Sequence, residues 1–396
     1  MKILGKIGKW FLITIVILNL LVIISGKTYL YKGIVNTYFK GRLGPNVTEY
    51  KIIDNREVKA GTFQKWHSAS AYNSKKISEK HLKEFADMQT LSFVVIKNDS
   101  VTHEQYWDGC SEECNTNSFS MAKTITSVLI GCAIDDGKIK SVDQSVSDFL
   151  PEFKSEHGPN ITIKHLLTMS SGINFDEDYV NPLAYPGAAY YGSDIKELTY
   201  KYKVTEEPGK TFLYLSGNTE LLGFILEKAT EKKVSEYASE KLWQPLGAKN
   251  SAFWSLDHEG GMEKTYCCFN SNALDFARIG QLYLDSGKWN GKQIISKEYV
   301  LNSIKPADLI DDFGKKNQKY GYSWWLIPAY LPAGLIGKGH DIFYARGLLG
   351  QYILCIPDKK MIVVRLGNKK EKKLPGQDHP TDVFYYIDAA LEMYGS

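Results

Sequence analysis

The sequence predicts an α+β protein: one antiparallel sheet built from both ends of the chain, helices packed on it, and a helical lobe. Three observations predict it. A hairpin pattern lies at residues 91–106, a second at 351–366, and the stretch between them is mostly helical in period. In the first hairpin, 91–96 (LSFVVI) is rich in β-branched and aromatic residues, Asn98-Asp99-Ser100 turns the chain, and 101–106 returns. In the second, 351–356 is apolar, Pro357 to Lys360 turn, and 361–366 return. Helical patterning marks 163–169, 219–230, 234–242, 273–284, 297–303 and a last helix at 381–393. A cleft between lobe and sheet is the expected place for a site.

With 43% hydrophobic and 23% charged residues in 396, a sizeable core is expected. A net charge of +3 with no basic stripe makes no case for nucleic acid as partner. Lys2, Lys6 and Lys9 precede an apolar run at 10–24, which is shorter than the roughly 20 residues of a full span but extensible through Ser25 and Gly26. No small-residue cleavage site follows. Residues 1–26 therefore read as a signal anchor or a signal peptide, the former preferred, with the lysines on the cytoplasmic side and the rest exported. Residues 27–84, polar and rich in Tyr and Lys, read as an extension, and 85–396 as the main domain. Cys110 and Cys114 either pair or stay as thiols; Cys267 and Cys268 read as buried apolar positions. Neither the six cysteines nor the eight histidines fall at convincing metal-ligand spacing, so no metal or cofactor is expected.

Ser120-Met-Ala-Lys123 begins an apolar helical stripe formed by Ile125, Val128, Leu129 and Cys132, and Asp135-Asp-Gly137 ends it. Three residues along a helix bring Lys123 to the same side as Ser120. A serine needs a base to become a nucleophile, and a buried lysine loses its proton readily enough to be one. The alternative is a serine N-cap beside a snorkelling lysine. Farther on, Pro208-Gly-Lys-Thr-Phe-Leu-Tyr214-Leu-Ser216 joins a turn to a helix; a phenol beside a lysine can relay a proton. The second S-x-x-K, at Ser193 to Lys196, reads as a helix N-cap.

The segments FSMAKTITSVLIG (119–131), ITIKHLLTMSSGI (161–173), PGKTFLYLSGNTELLG (208–223), NALDFARIGQLYLDSGKWNGKQII (272–295), YGYSWWL (320–326) and ARGLLGQYILCIPDKKMIVVRLG (345–367) occur in this order. Together they resemble the serine β-lactamase-related hydrolases, the class C β-lactamase and penicillin-recognising fold, and most of all the 6-aminohexanoate-dimer hydrolase branch. The resemblance implies a β-lactamase/transpeptidase-like fold and specific roles. Ser120 would be acylated, Lys123 would be its base and Tyr214 the proton shuttle. The backbone N–H groups of Ser120 and Ala345 would form the oxyanion hole. Ser216 and Asn218 would line the turn. Where the penicillin-recognising enzymes carry Lys-Thr-Gly, this chain reads Ile342-Phe-Tyr-Ala-Arg-Gly347, so Arg346 either binds an acidic substrate group or sits on the surface. Aromatics of 179–191 and Trp324-Trp325 either line a pocket or pack. The expected activity is hydrolysis of a small amide or ester through an acyl-enzyme. The alternatives are a D,D-peptidase or β-lactamase on cell-wall-like substrates, and a non-catalytic ligand-binding member of the fold.

Overall fold

The computed structural model describes residues 2–154, 160–333 and 337–395. Its strands are β1 (Asn55–Val58), β2 (His67–Ser68), β3 (Thr90–Lys97), β4 (Ser100–Tyr106), β5 (Thr116–Asn117), β6 (Ala252–Ser255), β7 (Phe269–Ser271), β8 (Lys288–Trp289), β9 (Lys292–Gln293), β10 (Trp325–Tyr330), β11 (His340–Gly347), β12 (Gln351–Ile356) and β13 (Met361–Gly367). Both expected hairpins form, β3–β4 and β12–β13, and they join where β13 pairs antiparallel with β3, Val363 opposite Val95. The resulting seven-stranded sheet runs β10-β11-β12-β13-β3-β4-β2, antiparallel except for the short β2–β4 edge.

The helices are α1 (Lys2–Ile24), α2 (Tyr29–Asn36), α3 (Glu79–Asp87), α4 (Met121–Asp135), α5 (Ile163–Leu167), α6 (Tyr185–Tyr191), α7 (Ile195–Tyr200), α8 (Ser216–Thr230), α9 (Val234–Ala238), α10 (Ala273–Leu284), α11 (Lys297–Ser303) and α12 (Asp382–Tyr394). Strand side chains alternate between two cores. Val94, Ile96, Ile353, Cys355 and Val364 face α4 and α10. Phe93, Val95, Leu354, Ile356 and Val363 face α12 and Phe85 of α3. Both faces of the large sheet are thus buried, which explains why its strands read as continuous apolar runs.

The middle of the chain departs from its helical reading. β6 and β7 form a second sheet, β1-β6-β7-β5. The helix read from 219 begins at Ser216. The one read over 234–242 stops at Ala238 and continues as a π turn, where Ser239 Oγ accepts the Lys59 N–H at 2.9 Å. Helices α6 and α7 are additional, and Asp194, not Ser193, caps α7.

Residues 27–84 pack as part of the same body. β1 zips onto β6, Gln64 O accepts from the buried Arg278 at 2.8 Å, and α2 lies on α6 with Gly33 against the Tyr191 ring. A Cβ at Gly33 would sit 3.4 Å from that ring. α1 extends the 10–24 run back to Lys2, giving 23 residues, about 34 Å at 1.5 Å each. By length and composition, Lys6–Ile24 can cross a membrane; its mean hydropathy is 2.4 and none of it is buried in the protein. Cys110 pairs with Cys114. Cys267 and Cys268 are buried and also pair, with each other, while Cys132 and Cys355 are free and buried.

Candidate active site

Short strand β5 delivers the chain to Ser120. The Ser118 N–H donates to Phe269 O at 2.9 Å, and Phe119 takes the left-handed conformation at φ +45°. That conformation is uncommon for a bulky residue and is held here by the Phe119 N–H donating to Asn117 Oδ1 at 2.8 Å. Ser120 then precedes α4 with helical φ and ψ, and its hydroxyl makes no capping bond. Its Oγ lies instead 3.1 Å from Lys123 Nζ.

α4 is buried from Met121 to Ala133, and Lys123 with it, at 1% exposed. Its Nζ also donates to Ser216 Oγ at 3.2 Å and to Tyr266 O at 2.8 Å. All three partners are neutral. Burial lowers Lys123 from its ordinary 10.5 to about 8, against the opposing pull of Glu177 and Glu220. Glu220 is itself buried and pushed up to about 8, with its Oε2 accepting from Thr265 Oγ1 and Tyr266 N.

Tyr214 stands beside both Ser120 and Lys123, sharing a side-chain hydrogen bond with Ser120. Its ring lies 5.4 Å from Trp325 and 5.1 Å from Lys123 Nζ. Burial raises its phenol to about 12, tempered by the Ser120 bond and Arg346, so at neutral pH it holds its proton. Ser216 opens α8 beside Lys123. The Arg346 guanidinium stacks 3.4 Å over the Trp325 ring, half-buried and close enough to act on both Lys123 and Tyr214. Trp324 packs in the core against Tyr283 and Phe343.

Two predicted residues lie elsewhere. Asn218 is fully buried, its Oδ1 accepting from Ser171 and its Nδ2 directed to Met169 Sδ. Ala345 is buried in β11 opposite Ile353. Beyond it, Gly347 comes so close to Ser118 O that a Cβ would lie 2.1 Å away, and Leu348 emerges beside Ser120.

Sequence reasoning did not single out Glu177. Its Oε2 accepts the Ser216 N–H at 2.7 Å, and its Oε1 accepts from Ser216 Oγ at 2.5 Å and Tyr179 Oη at 2.8 Å. Burial raises this carboxyl, while Lys123 and Ser216 pull it down. No local spacing ties Glu177 to Ser120; only the acidic run at 176–178 marked it as polar.

A cavity of about 360 Å³ opens on Ser120 and Ser216. Tyr179, Tyr190, Leu348 and Cys267 form one part of its wall, and α2 with the segment to Pro45 forms another. Among the described residues, one carboxylate cluster (Asp311, Asp312 and Asp378) has the geometry to hold a cation, but the Lys319 ammonium is already ion-paired with all three.

A family model described as Beta-lactamase matches residues 79–385. The chain belongs to the beta-lactamase family. The 6-aminohexanoate-dimer hydrolase of Paenarthrobacter ureafaciens is 27% identical over 306 residues, which is 70% of this chain and 72% of that protein. The teichoic acid D-alanine hydrolase of Staphylococcus aureus (strain MRSA252) is 28% identical over 246 residues, 57% of this chain and 58% of that protein. A solved structure named "Putative 6-aminohexanoate-dimer hydrolase from Bacillus anthracis" superposes with a TM-score of 0.72 at 23% identity, covering 88% of this chain and 93% of that one. These named beta-lactamase-family relatives are hydrolases, and the β-lactamase/transpeptidase-like fold is shared.

Proposed function

We propose that this beta-lactamase-family protein is a serine hydrolase that cleaves an amide or ester through an acyl-enzyme on Ser120. The observation that carries the reading is the 3.1 Å contact between Ser120 Oγ and a lysine buried among neutral partners and held at about 8. Neutral Lys123 takes the hydroxyl proton as Oγ attacks the carbonyl carbon. The tetrahedral oxyanion forms between the Ser120 N–H and the end of β11. We place the second donor at Leu348 rather than Ala345, because Leu348 lines the cavity and Ala345 is turned into the core. Tyr214 passes the proton to the leaving group, and water then attacks the ester carbon by the reverse relay. Arg346, on its Trp325 platform, faces the leaving-group side and suits an acidic group there. Glu177 fixes Ser216, and Ser216 in turn orients Lys123. With α1 as a signal anchor, the domain would face outward from the membrane that holds it.

A fluorophosphonate probe tests the reading. The expected result is one adduct, mapped to Ser120 by peptide mass and absent from Ser120→Ala with unchanged circular dichroism. A folded Ser120→Ala protein that still takes the label or still hydrolyses esters would overturn it. A folded wild type that resists small probes would return weight to a binding module.

A further inference from the structure

The cavity beside Ser120 contains no charged side chain. The nearest carboxylate, Glu177, lies behind the wall and is already taken up by Ser216 and Tyr179, so a zwitterionic or cationic group placed in the cavity would meet no charged side chain on its surface and would be poorly compensated for its lost water. The wall is also unusual in origin. Tyr29, Leu30, Gly33 and Ile34 of α2 form one side, facing Val180 and Pro182 on the other. Only four residues separate Ile24, the end of α1, from Tyr29, so over these five steps this wall begins within about 18 Å of the end of the membrane-length helix at 3.6 Å per residue. Two hydrogen bonds tie the parts together: Tyr31 Oη donates to Asn19 Oδ1 of α1 at 2.7 Å, and Tyr29 Oη to Pro182 O at 3.3 Å. Of the residues lining it, Leu43 and Val180 are 92% and 90% exposed, and Phe39, next in sequence to the lining residue Tyr38, is 80% exposed. A water-facing surface has no use for so much exposed apolar area in one place, whereas the edge of a bilayer covers it.

We infer that the substrate is an amphiphile drawn from the membrane surface, an amide or ester whose apolar acyl chain fills this cavity. The assignment to the acyl side follows from the proton path. Tyr214, Trp325 and Arg346 do not line the cavity, so the leaving group that Tyr214 protonates lies with them, and the acyl group lies opposite. In the step, the bond from Ser120 Oγ to the acyl carbon forms and the bond to the leaving nitrogen or oxygen breaks. The serine proton goes to the leaving group, and water later releases the chain as a carboxylic acid. The inference rests on the serine-hydrolase reading and adds the substrate class to it.

The test uses the full chain in lipid nanodiscs and two fluorophosphonates, one with a methyl and one with an octyl chain. Each forms an Oγ–P bond as fluoride leaves with the proton, and the labelling rate is read by intact mass. Full burial of each methylene is worth about fourfold, so partial burial of the octyl chain predicts at least about tenfold faster labelling by that probe. Ile34→Asp and Val180→Asp, on opposite walls, are expected to bring the octyl-to-methyl ratio down by about tenfold. Both variants see the same lipid, so bulk partitioning cancels, and their labelling by the methyl probe reports that they are folded. Equal rates for the two probes, or a ratio that neither substitution changes, would overturn the inference and leave the hydrolase reading intact. Failure of both probes to label wild type would count against the hydrolase reading itself.

Discussion

Lys123→Met removes the proposed base and, with it, an electrostatic strain that can be sized. Holding a buried lysine at about 8 instead of 10.5 costs the folded protein about 3 kcal/mol at pH 7, at 1.36 kcal/mol per pH unit. The sign follows from proton counts. Between pH 8 and 10.5 the unfolded chain binds the lysine proton and the folded one does not, so wild-type stability rises with pH across that window and the penalty is constant below it. Methionine is free of the penalty but forfeits the bonds to Ser120, Ser216 and Tyr266, worth roughly 1 kcal/mol each and not additive. Lys123→Met is therefore expected to be about 1–2 kcal/mol more stable than wild type at pH 7. By pH 10.5 it should be less stable by a similar amount. Urea unfolding of both proteins across this range measures the difference, and a difference independent of pH would refute the reasoning. In the proposed mechanism the same value sets the wild-type acylation rate: about one tenth of Lys123 is neutral at pH 7 and nine tenths at pH 9, so probe labelling should rise about tenfold and level off. A hundredfold rise still climbing at pH 10 would mean that burial does not depress this lysine.

Three further outcomes are expected. Glu177→Gln removes the carboxylate whose charge supports the Lys123 cation, so the inflection in labelling rate moves to lower pH; an inflection at the same or higher pH would refute that link. Arg365→Met strips the bonds that a buried guanidinium makes to the carbonyls of Met88, Leu349, Gly350 and Lys369, and should cost about 3–5 kcal/mol in urea unfolding. Because Leu349 and Gly350 follow the proposed oxyanion donor, the folded variant should also label more slowly than wild type at equal pH.

The sequence carried the large sheet because its hairpins are local: turn residues and β-branched runs sit side by side in the chain. Helices α10 and α11 were readable over 273–284 and 297–303, since a one-sided apolar stripe and clear ends coincide there. Ser120, Lys123 and Tyr214 stood out through their place at helix entries. The small sheet was not legible, because β6 is four residues long and pairs with β1 nearly two hundred residues earlier. Glu177 was hidden for a related reason: its meaning comes from Ser216, which only the fold brings near. Asn218 shows the converse, a residue in the right motif whose side chain is spent on Ser171 and Met169. The cavity wall in α2 belongs to a stretch whose polar composition reads as a mere extension.

The place of β1 has a consequence for self-association. The family match begins at residue 79, yet β1 at Asn55–Val58 covers the open side of β6, where Ala252, Trp254 and Ser255 are all buried. A chain cut at the family boundary would bare that row of backbone donors and acceptors along an apolar strand. Such an edge invites a second copy to add the missing strand. With β1 in place, the segment between the apolar helix and the family-matched fold covers that edge and denies neighbouring copies a sheet to join, a safeguard of added value if α1 concentrates the copies in the plane of a membrane, as proposed above.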